Sequence, residues 1–502
     1  MSLVLYELLL TLVVKVVFCQ QFWPSLSAGP QLALRSQRDA GTNISIDQVS
    51  LTGVYLNNAA IAGDNNNGSE ALDIFSHLLG VGVQSYVIEL NSSDNMNLSL
   101  SNSNTSFGSV LTSLKQYVAD SNNVLNANML VLLLRLAPAD TKSNSTTPTN
   151  NITAELESNL GLSTLYTPLQ LASDRAAGLT QNYKGKDSSQ GWPTMDYFLY
   201  RLQKRVLVAY IDSNTSARLP SEYVFDSHIL NYETNNATNS CPLYQESGLT
   251  TTANESWRFL ESQFLPSDIH EYIMCGYSPI VSNEYTKDSI SSISGLLQNS
   301  LLWSWAYNEP NTYEPVKSNS TSLVARRCTV VNYMESNSTS SWVVANCYDK
   351  KRSVCRHKDN VFDWVISKLS DDYFSTHEDS DNDVCPTNYT LSFPQTPLQE
   401  MALNNYLRNS ASSDLEAWID LNSVSVPDCW VPGGPYASCP YQKDVSARSF
   451  VGIITPVSVF STATIVLLII LTWRKVPIQD NRKRWKKVIH LHSTTETDGV
   501  PS

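Results

Sequence analysis

Continuous apolar runs alternate with segments of helical periodicity through the first half of the chain. The runs predict strands at residues 48–56, 85–90, 129–136 and 205–211, and the periodic segments predict helices at residues 71–79, 110–118 and 197–204. Strands that are apolar on both faces and alternate with helices are typical of a parallel sheet covered by helices. The pattern therefore predicts an α/β barrel or partial barrel as the N-terminal domain.

Residues 449–473 form the longest apolar segment, with 25 consecutive uncharged residues followed directly by Arg474 and Lys475. A helix needs about 20 apolar residues to cross the hydrocarbon core of a bilayer. Basic residues concentrate on the cytosolic side of membrane proteins. The segment therefore predicts a transmembrane helix with a basic cytoplasmic tail, residues 474–502, and a type I topology.

The first 20 residues predict a secretory signal peptide. Residues 3–14 are mostly apolar, too short to span a bilayer, and followed by polar Gln20 and Gln21. Glu7 and Lys15 interrupt the pattern, and an uncleaved anchor is the alternative. A signal peptide places the chain between it and the transmembrane helix in the lumen or outside the cell.

Acceptor triplets for N-glycosylation are spread over that same region, and none lies in the tail. This distribution predicts a glycoprotein with a solvated surface. The acceptors are Asn43, Asn67, Asn91, Asn97, Asn104, Asn144, Asn151, Asn214, Asn236, Asn254, Asn319, Asn337 and Asn388.

Charge separates the tail from the rest of the chain. The tail has seven basic and three acidic residues, a net charge of +4, so the residues before it carry −17 of the total of −13. An acidic ectodomain excludes electrostatic binding of nucleic acid. The basic tail favours anionic lipid of the cytosolic leaflet as its partner over a nuclear import signal.

Eight cysteines follow the predicted signal peptide, an even number in an oxidising compartment, which predicts four disulfides. Zinc is the competing interpretation, but the chain has no Cys-X-X-Cys pair. We expect bonds among Cys241, Cys275, Cys328, Cys347, Cys355, Cys385, Cys429 and Cys439.

The position of the first of these cysteines predicts the domain organisation. A stretch of more than 400 residues exceeds the size of about 250 to 300 at which one core stops growing. We expect a barrel at residues 21–240, a disulfide-linked α+β domain at residues 241–374, and a cysteine-containing membrane-proximal region at residues 375–448.

The segment 48–56 followed by 82–90 resembles the opening of the phosphatidylinositol phospholipase X-type barrels. That family uses two histidines as general acid and base. Here the first strand carries no histidine, His77 lies in a predicted helix, His228 is the only other one in this half, and Glu89 is the one carboxylate at a strand end. The resemblance implies a degenerate barrel with no catalytic residues. A phosphodiesterase that uses Glu89 with other acids is the alternative.

Residues 303–311, with Trp342 and the Cys347–Cys355 spacing, resemble C-type lectin-like domains. Sugar-binding members hold calcium through Glu-Pro-Asn, here Glu309 to Asn311, and through Trp-Asn-Asp. This chain has Trp342-Val343-Val344 instead, so the resemblance implies the fold without the calcium site. It also implies pairing of Cys328 with Cys347, and of Cys355 with Cys275 or Cys241.

Other motifs that carry chemistry are missing from the sequence. Asp379 to Asp383 imitates the start of a calcium loop but has Val384 and Thr390 at the positions for Gly and Glu. No nucleophile elbow, zinc-protease motif or phosphate loop is present. The sequence predicts no metal site and no cofactor.

Residues 32–48, 303–310, 418–422, 428–434 and 439–441 together resemble the fungal maintenance of telomere capping protein 6 family. The resemblance implies a single-pass membrane glycoprotein without enzyme activity, with glycan or protein ligands on the exoplasmic side. A carbohydrate-binding surface protein that needs no calcium is a further alternative. Because a lumenal domain cannot touch DNA, any role in telomere capping is expected to be indirect.

Overall fold

The computed structural model describes residues 28–61, 68–92, 98–101, 103–137, 152–218, 221–234, 246–265, 267–283, 295, 301–312, 325–378, 384–440, 447–475 and 481–495. The chain divides into two compact units, residues 1–441 and 442–502. The predicted signal peptide at residues 1–20 lies outside the described residues.

The first unit opens with a nine-stranded sheet whose order is β5-β6-β4-β2-β1-β9-β8-β7, with β3 paired to β2. Only the β2–β3 pair is antiparallel among these described strands. The strands are β1 Gly53–Tyr55, β2 Ser85–Ser92, β3 Leu98–Leu100, β4 Leu130–Leu136, β5 Leu165–Tyr166, β6 Val206–Tyr210, β7 Asn231–Thr234, β8 Arg258–Ser262 and β9 Ser278–Val281.

Helices connect these strands, as expected for parallel pairs, and one further helix precedes the first strand. They are α1 Ala28–Ala40, α2 Leu56–Ile61, α3 Gly68–Gly80, α4 Phe107–Asp120, α5 Ile152–Glu155, α6 Pro168–Ala176, α7 Ser213–Arg218, α8 Glu246–Ala253 and α9 Ile269–Met274. Short 3₁₀ or π turns occupy Ile46–Gln48, Leu156–Leu160, Tyr197–Arg201 and Ser227–Ile229. The start of α4 is capped by Ser106, whose side chain accepts from the backbone N–H of Ser109.

Successive residues of each central strand face different cores. Ile88 and Leu132 belong to a cluster that includes helix residues such as Leu78, whereas Val87 and Leu133 belong to a cluster on the opposite face of the sheet. Side chains alternate across a strand, so both faces of the sheet are apolar and buried. This explains the continuous apolar runs and confirms the predicted partial barrel.

The first strand is shorter than predicted. Residues 48–56 contain only β1, Gly53–Tyr55, and the segment begins within a 3₁₀ turn at Ile46–Gln48. Before β1, the backbone N–H of Leu51 bonds to the side chain of Ser278 instead of to a neighbouring strand.

The parallel sheet continues past the expected boundary at residue 240. Strand β9 pairs with both β1 and β8, and β8 pairs with β7. The cysteines that begin at residue 241 mark disulfides and not the edge of the hydrophobic core.

The second sheet of the first unit has the order β11-β10-β15-β12-β13, with β14 paired to β12. Its elements are β10 Arg326–Met334, β11 Thr339–Asn346, β12 Arg352–His357, β13 Trp364–Ile366, α10 Ser375–Glu378, β14 Tyr389–Leu391, α11 Pro397–Ser410 and β15 Leu415–Asn422. Strand β15 lies between β10 and β12, so the expected boundary at residue 375 falls inside this sheet.

Three disulfides join described residues: Cys328–Cys347, Cys355–Cys385 and Cys429–Cys439. Cys275 is also disulfide-bonded, and Cys241 lies outside the described residues. The pairing of Cys328 with Cys347 is confirmed. The expected pairing of Cys355 with Cys275 or Cys241 is wrong, because β14 pairs with β12 and so lies beside Cys355, and Cys385 is four residues before β14.

The second unit contains α12 Ala447–Lys475 and α13 Asn481–Thr495. Within α12, Ile454–Trp473 is long and apolar enough to cross a membrane, with a mean hydropathy of 2.3. The apolar helix predicted at residues 449–473 is therefore present.

Candidate functional site

Five polar side chains meet at the carboxyl end of the parallel sheet. Tyr55 ends β1, Glu89 lies in β2, Arg135 in β4, Tyr232 in β7 and Glu261 in β8. We call these five residues the mouth cluster. Substrate-binding residues of (β/α) barrels lie at this end of the strands.

The alternation of side chains brings the cluster together. Glu89 follows Val87 by two residues and Arg135 follows Leu133 by two, and both apolar residues face the inner core. Glu89 and Arg135 are also register partners on adjacent strands. Glu89 and Arg135 thus lie on the same face of the sheet as Val87 and Leu133, one position further along each strand on that face.

Hydrogen bonds and ion pairs connect the cluster internally. The Tyr55 hydroxyl donates to Oε2 of Glu89. Oε2 of Glu261 accepts from the hydroxyl of Tyr232 at 2.6 Å and from Nη2 of Arg135 at 3.3 Å. The guanidinium carbon of Arg135 lies 5.8 Å from the ring centroid of Tyr55 and 6.0 Å from that of Tyr232, within cation–π range.

Asn57 fixes the backbone at Glu89. Its side-chain amide donates to the carbonyl oxygens of Glu89 at 3.0 Å and of Ser101 at 3.1 Å, and its oxygen accepts from the N–H of Glu89 at 2.8 Å. Asn57 is buried, so all three bonds are shielded from water. Asn57 therefore holds the backbone at Glu89, and the Tyr55 hydroxyl contacts the Glu89 carboxylate.

The electrostatics keep the tyrosines neutral and the arginine charged. Burial and the neighbouring Glu89 raise the pKa of Tyr55, and burial and Glu261 raise the pKa of Tyr232. Burial lowers the pKa of Arg135, but Tyr232, Glu261 and Tyr55 raise it by more. With two carboxylates and one guanidinium, the cluster carries a net charge of −1.

Neither histidine of the first half belongs to the cluster. His77 lies in α3, where burial lowers its pKa. His228 lies in the turn Ser227–Ile229 and pairs with Asp226 at 3.1 Å. Of the sequence-derived candidates, only Glu89 is a member. Tyr55, Arg135, Tyr232 and Glu261 are not among those candidates. A usable signal exists for the last three, because each follows an apolar residue, Leu133, Leu230 or Phe259, by two positions.

The seven acceptor asparagines that the structure describes are all exposed: Asn43, Asn91, Asn104, Asn214, Asn254, Asn337 and Asn388. Asn91 lies at the carboxyl end of β2, Asn104 lies between β3 and α4, and Asn214 lies in α7 after β6, at the same end of the sheet as the mouth cluster. Asn67, Asn97, Asn144, Asn151, Asn236 and Asn319 lie outside the described residues. Glycosylation stays a prediction that this exposure permits.

Glu309 contacts the backbone of its own region. Its Oε2 accepts from the N–H of Asn311 at 2.8 Å and from the N–H of Val344 at 3.2 Å. Within the described part of the chain, no group of three or more His, Cys, Asp or Glu side chains could hold a metal ion. Residues 379–383 lie outside the described residues.

A cavity of about 310 Å³ lies at the opposite end of the sheet. It is lined by residues that precede three strands, Ser50, Gln84 and Met129, and by Leu34 and Arg38 of α1. Its lining is mostly apolar, and Arg38 there bonds backbone carbonyl groups, including that of Val124 at 3.1 Å. This cavity therefore lacks the clustered carboxylates of the mouth.

Distant likenesses exist among solved structures. A calcium-dependent phosphoinositol-specific phospholipase C from Pseudomonas sp is 13% identical and aligns over 48% of this chain and 91% of its own, with a TM-score of 0.33. A phosphatidylinositol-specific phospholipase C from Listeria monocytogenes is 12% identical over 53% and 98%, with a TM-score of 0.30.

Sequence comparison gives much closer relatives. The MTC6 partial TIM-barrel domain matches residues 24–303. Maintenance of telomere capping protein 6 of Lachancea thermotolerans is 54% identical over 100% of both chains. The proteins of that name from Zygosaccharomyces rouxii and Saccharomyces cerevisiae are 40% and 37% identical, over 95% and 96% of this chain and 93% of each relative. The chain therefore belongs to the maintenance of telomere capping protein 6 family.

Proposed function

We propose that this chain is a non-enzymatic, single-pass type I membrane glycoprotein of the secretory pathway or cell surface, which acts by binding and influences telomere capping indirectly. The observation that carries the proposal is the mouth cluster, in which each ionised group already has a partner. Its relatives are named for telomere capping, and the apolar helix Ile454–Trp473 supports a membrane anchor.

The chemistry of the cluster opposes phosphodiester hydrolysis. That reaction needs groups that take and give protons near neutral pH, and the raised pKa values of Tyr55 and Tyr232 keep these hydroxyls protonated. The net charge of −1 of the mouth cluster also repels a phosphate. Arg135, its one cation, already pairs with Glu261, and no histidine belongs to the cluster.

The disulfides support an exoplasmic location for the first unit. Bonds such as Cys328–Cys347 and Cys429–Cys439 persist in oxidising compartments and are rare in the cytosol. A domain on that side of the membrane never meets chromosomal DNA. An effect on telomeres would therefore pass through the secretory pathway or the cell surface.

Full-length protein purified from membranes tests the absence of catalysis. We expect no hydrolysis of phosphatidylinositol, of glycosylphosphatidylinositol or of glycan phosphodiesters. Turnover that is lost in Glu89→Gln and Glu261→Gln, but kept in the exposed control Glu335→Gln, would establish the alternative phosphodiesterase function. Glycosidase treatment of tagged protein in cell fractions tests the compartment.

A carbohydrate ligand is the second candidate function. The mouth cluster presents carboxylates, a guanidinium and tyrosine hydroxyls, which are suited to hydroxyl groups, and its negative charge favours a neutral glycan over a phosphorylated one. The ring centroids of Trp305 and Trp342, in the part whose sequence resembles a lectin-like domain, lie 5.7 Å apart, but both rings are buried in the core, so this candidate rests on the mouth cluster. Binding of neutral glycans that is unchanged by a chelator and lost in Glu89→Gln would support this candidate, and absence of binding would reject it.

A further inference from the structure

The basic tail folds into a helix with two opposite faces. Helix α13, Asn481–Thr495, has no acidic residue and five basic residues between positions 482 and 487. Trp485, Val488 and Ile489 repeat at i, i+3 and i+4, and so do Lys483, Lys486 and Lys487. At 100° per residue these two triads are centred about 160° apart on the helix.

The apolar triad is uncovered. The exposed fractions of Trp485, Val488 and Ile489 are 64%, 44% and 62%. Three large apolar side chains on one helix face cost free energy in water unless something covers them. The same spacing on a soluble domain would point into a core.

The chain itself limits what can cover this face. Only residues 476–480 separate α13 from the end of α12 at Lys475, so the first residue of α13 lies at most about 22 Å from that end. Helix α12 contains the membrane-spanning candidate Ile454–Trp473. The membrane anchor proposed above would hold helix α13 near a bilayer surface, and this tether would give the surface a high effective concentration.

We propose that α13 lies in the plane of the membrane as an amphipathic helix, with Trp485, Val488 and Ile489 among the acyl chains and Lys483, Lys486 and Lys487 against anionic lipid headgroups. This geometry is the one that basic amphipathic helices adopt at interfaces. The assignment to the cytosolic leaflet rests on the proposed type I topology, whereas the lipid contact itself does not. Each lysine near an anionic surface raises the bound-to-free ratio about fivefold.

Cysteine scanning in full-length protein tests the docking. Val488→Cys and Lys487→Cys, labelled with an environment-sensitive fluorophore, are compared in proteoliposomes of phosphatidylcholine with and without phosphatidylserine. Protein without a tail cysteine gives the background. We expect blue-shifted emission and quenching by lipid-borne quenchers at position 488, and water-like emission at position 487, with the contrast larger when phosphatidylserine is present.

Charge removal provides the second measurement. Substitution of Lys483, Lys486 and Lys487 by Gln in the Val488→Cys background should lower the bound-to-free ratio about a hundredfold. The matched control replaces the exposed lysines Lys184, Lys186 and Lys350 and should change nothing.

Two results would overturn the proposal: equal emission at positions 487 and 488, whether water-like or lipid-like at both, or no dependence on phosphatidylserine. Protease protection of a tail epitope in sealed microsomes tests the topology separately. A lumenal tail would refute the proposed topology and leave the lipid-docking result intact.

Discussion

The hydroxyl of Tyr232 lies 2.6 Å from Oε2 of Glu261, on the neighbouring parallel strand. The same oxygen also accepts a hydrogen bond from Nη2 of Arg135. Glu261 is thus the shared acceptor of two donors in a region where its own side chain is 14% exposed.

Replacing Glu261 should therefore destabilise the barrel. Glu261→Ala leaves Arg135 without its carboxylate and Tyr232 without its acceptor, and we expect a loss of about 1–3 kcal/mol in the free energy of unfolding. Glu261→Gln keeps an acceptor and should lose less. Chemical unfolding of the purified variants measures both, and equal stability of the Ala variant and the native protein would contradict the proposed role of Glu261.

Arg205 supports the opposite end of the barrel. This residue is 3% exposed and donates to the carbonyl oxygens of Asn128 at 2.6 Å and Ser121 at 3.1 Å, while burial lowers its pKa to about 10. Arg205→Ala leaves buried acceptors unpaired and should cost about 3 kcal/mol. The exposed Arg201, which pairs with Asp196, is the control: Arg201→Ala should cost less than about 0.5 kcal/mol.

Glu400 should make stability fall as the pH rises. It is 1% exposed and accepts from Nε1 of Trp342 at 3.1 Å, and burial raises its pKa from 4.5 to about 7. The folded-state pKa of Glu400 exceeds its unfolded-state pKa. Its contribution to the free energy of unfolding is therefore fully present below pH 4.5 and is lost between pH 4.5 and about 7.

The variant Glu400→Gln stays neutral throughout this range. It should match the native protein near pH 4.5 and exceed its stability above pH 7, by up to about 3 kcal/mol. Unfolding midpoints at the two pH values measure this, with Glu335→Gln as an exposed control. A constant difference between variant and native protein would refute the assignment.

His377 gives a second dependence on pH. Burial lowers its pKa, but the hydrogen bond with Asp420, 3.1 Å away, and the carbonyl of Tyr373 raise it by more. The contribution of His377 to the free energy of unfolding is therefore fully present below its unfolded-state pKa of about 6.5. It is lost as the pH rises through the folded-state pKa.

Asp420 also accepts from the N–H groups of Gly433 and Gly434, so the pair helps to hold the segment closed by Cys429–Cys439. His377→Gln should destabilise the protein by about 1 kcal/mol more at pH 5.5 than at pH 8. His228→Gln, at an exposed pair, should show a much smaller difference. If both variants respond alike, the His377–Asp420 pair does not stabilise the segment.

Glycopeptide mass spectrometry tests the predicted modifications. The exposure of Asn91, Asn104 and Asn214 leads us to expect glycans there, and these would crowd the carboxyl end of the barrel. Asn→Gln at all three should restore access of large glycan probes to the mouth cluster if such glycans block it. If peptides that contain these three asparagines are unmodified in protein isolated from the secretory pathway, the predicted glycans at this end of the barrel are absent.

Much of the barrel could be predicted because its strands are buried on both faces. The runs 85–90, 129–136 and 205–211 became β2, β4 and β6. Strands β8 and β9 lie beyond the expected domain boundary, because the cysteine content changes at residue 241 whereas the parallel sheet continues past it. Cysteine content reports cross-links, whereas the sheet is held together by burial and by backbone pairing.

The site was only partly predictable. Glu89 was found because it ends an apolar run, but its neighbours depend on strand register, and a shift of one residue would turn them to the other face. Arg135 and Glu261 lie 126 residues apart in sequence, so no local pattern joins them. The same limit explains the wrong partner for Cys355: the family resemblance implies Cys275 or Cys241, whereas the pairing of β14 with β12 brings Cys385 close to Cys355.

The Cys355–Cys385 bond closes a segment of 30 residues and has a consequence for proteolysis. A protease that cuts the chain between these two cysteines does not release the part before it, because the disulfide still joins both fragments, and the second fragment still continues into α12. Such a nicked molecule would keep its membrane attachment and its full apparent mass on a gel, and it would separate into two pieces only after reduction.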